Sequence, residues 1–192
     1  MTPVTNRRPH RGGTLPAMPV IVIGADTPIG RAAVDALLAG AAELRAFVTD
    51  PAEIDRLKER GVKVAVGDIS DGSHVGGAAL NAFCAVLVPE AATDARERSF
   101  ASTPSAVVAA WAEGLRDARV HRAIWIDDAA IPDAPAVLAA AVSELAIVPA
   151  GRSPDEIAAD IARIESQRIL GDTTDRRVSG VEPDDPFPHR SG

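Results

Sequence analysis

Short apolar runs, separated by stretches of helical periodicity, set the pattern of the chain from Val20 onward. Val20–Ile23, Leu44–Thr49, Val62–Val66, Ala85–Val88, Ala123–Ile126 and Leu145–Val148 are continuous rather than alternating in their hydrophobicity. A strand with one wet face alternates apolar and polar side chains, whereas a strand covered by helices on both faces is apolar throughout. The runs therefore predict the strands of a parallel sheet. Between the first two, Ile29–Leu38 puts Ala33, Val34, Leu37 and Leu38 on one helical stripe. Pro51–Arg60 has Asp50 in the N-cap position, Pro51 at the first helical position and Gly61 as its stop. Asp71–Phe83 predicts a weaker helix, because Gly76 and Gly77 each cost about 1 kcal/mol against alanine in a helix interior. Thr103 and Pro104 open a helix that runs to Ala118. The last helix starts at Ser153-Pro154-Asp155-Glu156, a capping box with a first-turn proline and acidic residues at the positive dipole end, and continues with the stripe Ile157, Ile161 and Ile164. Six strands alternating with helices through right-handed crossovers make an α/β fold, a doubly wound parallel sheet of Rossmann-like type.

The two ends break this pattern. Residues 1–17 and 171–192 are rich in Pro, Gly, Arg and Asp without apolar periodicity, and are expected to be flexible tails around one domain, 18–170. Met18 directly precedes the first strand and is a second candidate start. A chain of 192 residues supports one substantial core but not a nucleotide domain plus a full substrate domain. Its net charge of −7, with Lys58 and Lys63 as its two lysines, argues against nucleic acid as a partner. No apolar run approaches the roughly 20 residues that span a bilayer, and Arg7, Arg8 and Arg11 are not followed by a signal-type apolar core, so the expectation is a cytoplasmic protein without a membrane partner. The single cysteine, Cys84, lies in an apolar run and reads as a buried, inert thiol. Trp111 shares a helix face with Val107, Val108 and Leu115, and Trp125 lies in a strand; both read as core or interface rather than as stacking platforms for bases.

The strongest signal lies in the first strand and the loop after it. Val20-Ile21-Val22-Ile23 runs into Gly24-Ala25-Asp26-Thr27-Pro28-Ile29-Gly30-Arg31 and then into an Ala/Leu-rich helix. A strand that turns tightly into a helix aims the helix's free N–H groups at a phosphate, the layout of a dinucleotide cleft. The candidate cofactor-binding residues are Gly24, Asp26, Thr27, Ile29, Gly30 and Arg31 in this loop, Thr49 and Asp50 at the end of the second strand, and Asp68 and Ile69 after the third. Asp50 can accept both ribose hydroxyls of NAD and would repel a 2′-phosphate, or it can serve only as an N-cap. Arg31 can instead reach a 2′-phosphate. NAD or NADP is therefore the expected cofactor, with the balance toward NAD.

These segments, together with Leu44-Arg45-Ala46-Phe47-Val48-Thr49-Asp50-Pro51 and Gly61-Val62-Lys63-Val64-Ala65-Val66-Gly67-Asp68-Ile69, resemble the NmrA-like and other atypical members of the extended short-chain dehydrogenase/reductase superfamily. The resemblance covers residues 19 to about 127 and implies a first loop of the form glycine-alanine-threonine-glycine-x-x-glycine. It also implies that Asp68 lies beside the adenine and that a basic residue at the end of the second strand selects NADP. The chain departs from that pattern. Asp26 and Thr27 replace the threonine and middle glycine, bringing a carboxylate and a β-branched side chain to where backbone should approach the pyrophosphate. An anion beside that pyrophosphate is unfavourable unless the carboxylate turns to solvent or to a donor. Thr49 stands where the NADP-selecting arginine is common.

The resemblance further implies a tyrosine-x-x-x-lysine pair and a serine after the fifth strand. The chain has no tyrosine, and Asp127-Asp128 follow that strand, so this mechanism is excluded and no catalytic residue is assigned. NmrA-like proteins that bind nucleotide without turnover lose the same residues. His74 and His121 have no metal-ligand spacing with Cys84, and Asp127 and Asp128 point apart in a strand. Asp26, Asp127 and Asp128 should meet at the carboxyl edge of the sheet, yet acidic loops are usually just solvated, and no metal site is assigned. Glu90, Asp94, Arg96 and Arg98 read as a mobile, solvated loop after the fourth strand. The expected protein binds a dinucleotide without catalysis, as a nucleotide-responsive or scaffold protein with a possible protein partner or second copy of itself. The alternatives are a reductase or epimerase-like enzyme with non-standard acid/base groups, or one whose pocket is completed by a partner subunit, and a degenerate interaction module without nucleotide.

Overall fold

A computed structural model describes residues 18–41 and 43–167. The expected tails, 1–17 and 171–192, lie outside the described residues. Six strands, β1 (Val20–Ile23), β2 (Leu44–Val48), β3 (Lys63–Val66), β4 (Cys84–Leu87), β5 (Arg122–Ile126) and β6 (Glu144–Val148), form one sheet in the order β3-β2-β1-β4-β5-β6. Every pairing is parallel. The chain winds outward in one direction from β1 to β3, then returns to the other side of β1 with β4. That reversal opens a crevice at the carboxyl ends of β1 and β4, where open α/β sheets bind ligands.

The expected helices form, α1 shifted one residue toward the amino terminus and α2, α3 and α5 shorter than expected: α1 (Pro28–Leu37), α2 (Glu53–Glu59), α3 (Gly72–Ala79), α5 (Pro104–Asp117) and α7 (Pro154–Glu165). Asp71 caps α3, Thr103 caps α5, and Ser153 with Glu156 forms the expected capping box on α7. Asp50 does not cap α2. Its Oδ1 accepts from the Ala52 N–H at 2.9 Å, so it closes the turn before the helix, and Ala52 holds the N-cap position. Two short helices, α4 (Glu90–Thr93) and α6 (Ala134–Ala139), add to those the periodicity predicts.

The central strands β1, β4 and β5 are buried on both faces, as their unbroken apolar runs require, whereas the edge strands β3 and β6 are partly exposed. Val20 and Val22 pack with Ala33, Val34 and Leu37 of α1, Leu57 of α2 and Ile157, Ile161 and Ile164 of α7. Ile21 and Ile23 face the other way, into a cluster with Val75 of α3, Ala91 of α4, Trp111 and Leu115 of α5, and Leu138 of α6. Trp125 is fully buried in that second cluster, and Cys84 is buried in the first, where loss of hydration pushes its thiol pKa far up and leaves it unreactive.

Candidate functional site

The crevice is built around the loop between β1 and α1. The chain turns at Gly24 with φ 85°, a left-handed conformation natural to glycine, and a Cβ there would stand 2.7 Å from Cβ of Ala91 on α4. Gly30 lets the first turn of α1 settle onto the loop, because a Cβ at that position would stand 2.1 Å from the Gly24 carbonyl oxygen.

Thr27 does not intrude on the crevice as expected. Its hydroxyl donates to the Gly24 carbonyl at 2.9 Å and accepts from the Gly30 N–H at 3.0 Å, so the side chain folds inward as the N-cap of α1 and is buried. A β-branched residue is tolerated in the phosphate-type loop because capping draws its bulk away from the cleft.

Asp26 leans across to the end of β2 instead of facing solvent. Its Oδ2 accepts from the Thr49 N–H at 2.8 Å and the Asp50 N–H at 3.1 Å. Arg96 Nη1 donates to Asp26 Oδ1 and Oδ2 at 3.1 and 3.2 Å and to Thr49 Oγ1 at 3.0 Å. The two side chains are 5% and 13% exposed, so the carboxylate is matched by a guanidinium in a largely dry site. Arg96 Nε and Nη2 also donate to Asp94. Burial alone would lower the Arg96 pKa, but Asp94 and Asp26 outweigh it and raise it further above its ordinary value. Burial alone would raise the Asp94 pKa, and the Arg96 and Arg98 charges with the Arg96 donors bring it below its ordinary range.

The other assigned residues divide between the crevice and its rim. The Ile29 N–H, at the start of α1, donates to Glu90 Oε2 at 3.3 Å. Asp68 closes a turn after β3: Oδ1 accepts from the Ser70 N–H and hydroxyl at 2.8 and 2.6 Å, and Oδ2 accepts from the Ser99 N–H at 2.6 Å. Burial works against ionisation there, but the donors from Ser70 and Ser99 prevail and hold its pKa down. Ile69 is buried beneath, and its carbonyl accepts from the Trp111 indole N–H at 2.7 Å. Arg31 points along the surface to Glu53 Oε1 at 2.8 Å, a pairing that draws it toward α2. Asp128 accepts from the Ala130 N–H within its own turn. Among the described residues no cluster of His, Cys, Asp or Glu could hold a metal ion, and no helix is long and apolar enough to cross a membrane.

The loop read as mobile and solvated is instead an integral wall of the crevice. Glu90, Arg96 and Ser99 each reach a residue assigned from the sequence, and none of the three is a site residue by sequence pattern. The available signal was Asp26 itself. A carboxylate inside a tight loop at a sheet's carboxyl edge needs a cation, and the charged run after the neighbouring strand supplies one.

A profile of the NAD(P)H-binding family matches residues 24–166. No curated protein sequence matches. Among solved structures, the chain is similar to the Citrobacter sp. triphenylmethane reductase complexed with NADP(H), at 13% identity and TM-score 0.66, over 78% of this chain and 66% of that one. It is likewise similar to the NADPH-dependent quinone oxidoreductase of Escherichia coli, at 14% identity and TM-score 0.65, over 79% and 65% of the two chains. The anaerobillin reductase of Escherichia coli aligns at 16% identity and TM-score 0.58, over 79% of this chain and 92% of its own. The chain thus spans just under two thirds of the first two structures, and what these likenesses share with it is the fold. With a glycine loop at the switch point of a six-stranded parallel sheet and the family profile running from that loop into α7, the chain belongs to the NAD(P)H-binding family and has a Rossmann-like fold.

Proposed function

We propose that this protein is a cytoplasmic, nucleotide-responsive or scaffold protein that holds a nicotinamide dinucleotide without turning over a substrate. The observation that carries the reading is the segment between β5 and β6, Asp127 to Ser143. It contains neither tyrosine nor lysine, and its ionisable side chains are Asp127, Asp128 and Asp133. Protonating a developing alkoxide requires a group that still holds a proton near neutral pH, and general acid help contributes about 10²–10⁴-fold. Carboxylic acids, with an ordinary pKa of about 4, are poorly matched to that task.

The crevice residues suit the dinucleotide's parts. In this reading, the Ile29 N–H at the α1 terminus and the glycine turn Gly24 to Gly30, with Thr27 drawn inward, receive the pyrophosphate. Asp26, Thr49 and Asp50 flank the adenosine ribose, Asp68 and Ile69 lie beside the adenine, and Arg31 stands at the rim. Oδ1 of Asp26 is suited to accept a ribose hydroxyl, and the carboxylate of Asp50 at the end of β2 disfavours a 2′-phosphate, which supports NAD over NADP. When bound, the dinucleotide would supply a nicotinamide ring able to carry hydride; the chain's own contribution is to hold and orient it.

Titration of the purified protein with NAD(H) and NADP(H), combined with assays of NAD(P)H oxidation against quinones, aldehydes and ketones, tests this. Binding of NAD(H) ahead of NADP(H), with no oxidation above the protein-free rate, is the expected result. Steady oxidation abolished by Gly30→Trp but kept by a surface variant would overturn the non-catalytic reading. It would favour the second one, a reductase or epimerase-like enzyme with non-standard acid/base groups, which the reductases among the similar structures support. Absence of binding would leave a degenerate interaction module.

A further inference from the structure

The segment Pro89 to Phe100 is anchored at three successive strand ends. At β1, Glu90 accepts from the Ile29 N–H of the α1 terminus at 3.3 Å. At β2, Arg96 binds Asp26 and Thr49. At β3, the Ser99 N–H donates to Asp68 at 2.6 Å and the Phe100 N–H donates to the Ser70 hydroxyl at 3.1 Å. Arg98 stiffens the span from within, donating to the carbonyls of Asp94 and Ala91 at 2.7 and 3.4 Å. The residues it engages at the ends of β1, β2 and β3, namely Ile29, Asp26, Thr49 and Asp68, are the ones assigned to pyrophosphate, ribose and adenine.

Each of these groups is already engaged by the segment, and the segment's own atoms stand where a ligand would approach them. The Ile29 N–H donates one hydrogen bond, and the Glu90 carboxylate occupies it in the way a phosphate oxygen would. The Arg96 guanidinium lies on the Asp26 oxygens that a ribose hydroxyl would otherwise meet, and the Ser99 N–H takes the free oxygen of Asp68. Resting on the dinucleotide-binding reading above, we propose that Pro89 to Phe100 is a strap that closes the crevice with internal mimics of the dinucleotide's contacts, latched by Arg96 on Asp26. The dinucleotide enters by displacing the strap, so the apparent affinity equals the intrinsic affinity reduced by the fraction of molecules with the strap open. Binding is thereby converted into a change of surface above β1 to β3, the kind of output that a protein without turnover can offer a partner.

Hydrogen exchange of the full chain with and without saturating NADH tests the displacement. Exchange at the Ser99 and Phe100 amides should speed up by about tenfold when NADH binds, while the Ile29 amide slows. Unchanged or slower exchange at Ser99 and Phe100 in the NADH-bound protein would overturn the proposal, since the strap would then stay shut over the ligand. Independently, Arg96→Gln should tighten NADH binding by about tenfold by raising the open fraction, whereas a guanidinium that itself bound the dinucleotide would make the variant weaker. Wild-type binding with an equal or weaker Kd in Arg96→Gln rejects the strap and leaves the dinucleotide reading standing. No NADH binding by either protein rejects both. Should Arg96→Gln fail to fold, the exchange experiment on the wild-type chain decides alone.

Discussion

Thr27 and Arg122 each do with one side chain what would otherwise take several. The Thr27 hydroxyl bonds both ends of the loop it closes, so Thr27→Ala should cost about 1 kcal/mol and up to about 2, measured by denaturant unfolding, whereas Thr27→Gly should cost only a few tenths. Arg122 is fully buried at the amino-terminal edge of β5. It donates to Glu144, to the carbonyls of Ile164, Glu165 and Gln167 at the end of α7, and its guanidinium lies 5.3 Å from the Phe83 ring centroid. Arg122→Met should cost about 2–4 kcal/mol, because the partners left behind are carbonyls and a carboxylate with little access to water. A loss under about 1 kcal/mol would mean that α7 ends well without it. Sequence pattern does not pick out Arg122, because an arginine in an apolar run gives no sign of the helix end that will fold over it.

Among the elements, α3 and α5 show how glycine spacing encodes an approach distance. A Cβ on Gly114 would stand 2.3 Å from the Gly72 carbonyl oxygen and 2.9 Å from the Gly76 backbone nitrogen, while one on Gly77 would meet nothing within 4 Å. Gly114→Ala should therefore destabilise by about 2 kcal/mol or more, since backbone cannot move aside as a side chain can. Gly77→Ala should stabilise by about 0.5–1 kcal/mol, through helix propensity and a less flexible unfolded chain. Paired thermal melts of the two variants, moving in opposite directions, check both. In sequence the glycines looked only like a weakness of α3, since the cost in propensity is local and the packing that offsets it comes from α5. Element identities were otherwise legible wherever a run was long enough to have a period. The strands read within a residue or so, whereas α4 and α6, at four and six residues, are shorter than the pattern that would reveal them. The loop glycines and the acidic strand ends were legible too. The strap was not, because its contacts are held by backbone N–H groups and by one arginine whose partner lies 70 residues away.

For the whole molecule, the carboxylates set the response to acid. Asp68, Asp94 and Glu144 lose part of their hydration on folding, yet each is held below its ordinary pKa by neighbouring donors or arginines. A carboxyl whose folded pKa is depressed adds stability that is complete above its unfolded pKa of about 4 and lost as pH falls through the folded value. Glu165, whose burial raises its pKa, works the other way and offsets only part of this. Thermal melting should accordingly hold steady down to about pH 5 and decline below about pH 4, with a smaller decline in Arg122→Met, where Glu144 has lost its main charge partner. A melting temperature unchanged down to about pH 3 would show that these pairings do not bear on global stability.

The hydrogen bond from Trp111 to the Ile69 carbonyl also gives the protein an optical readout. The chain has two tryptophans and no tyrosine, and Trp111 and Trp125 are both fully buried, so its near-ultraviolet emission comes from two dry indoles. One of them grips the peptide next to Asp68, the residue that anchors the strap at β3. Any ligand that shifts that strand end should change the polarity around a single indole N–H, and the colour and intensity of its fluorescence would track occupancy of the crevice without a label.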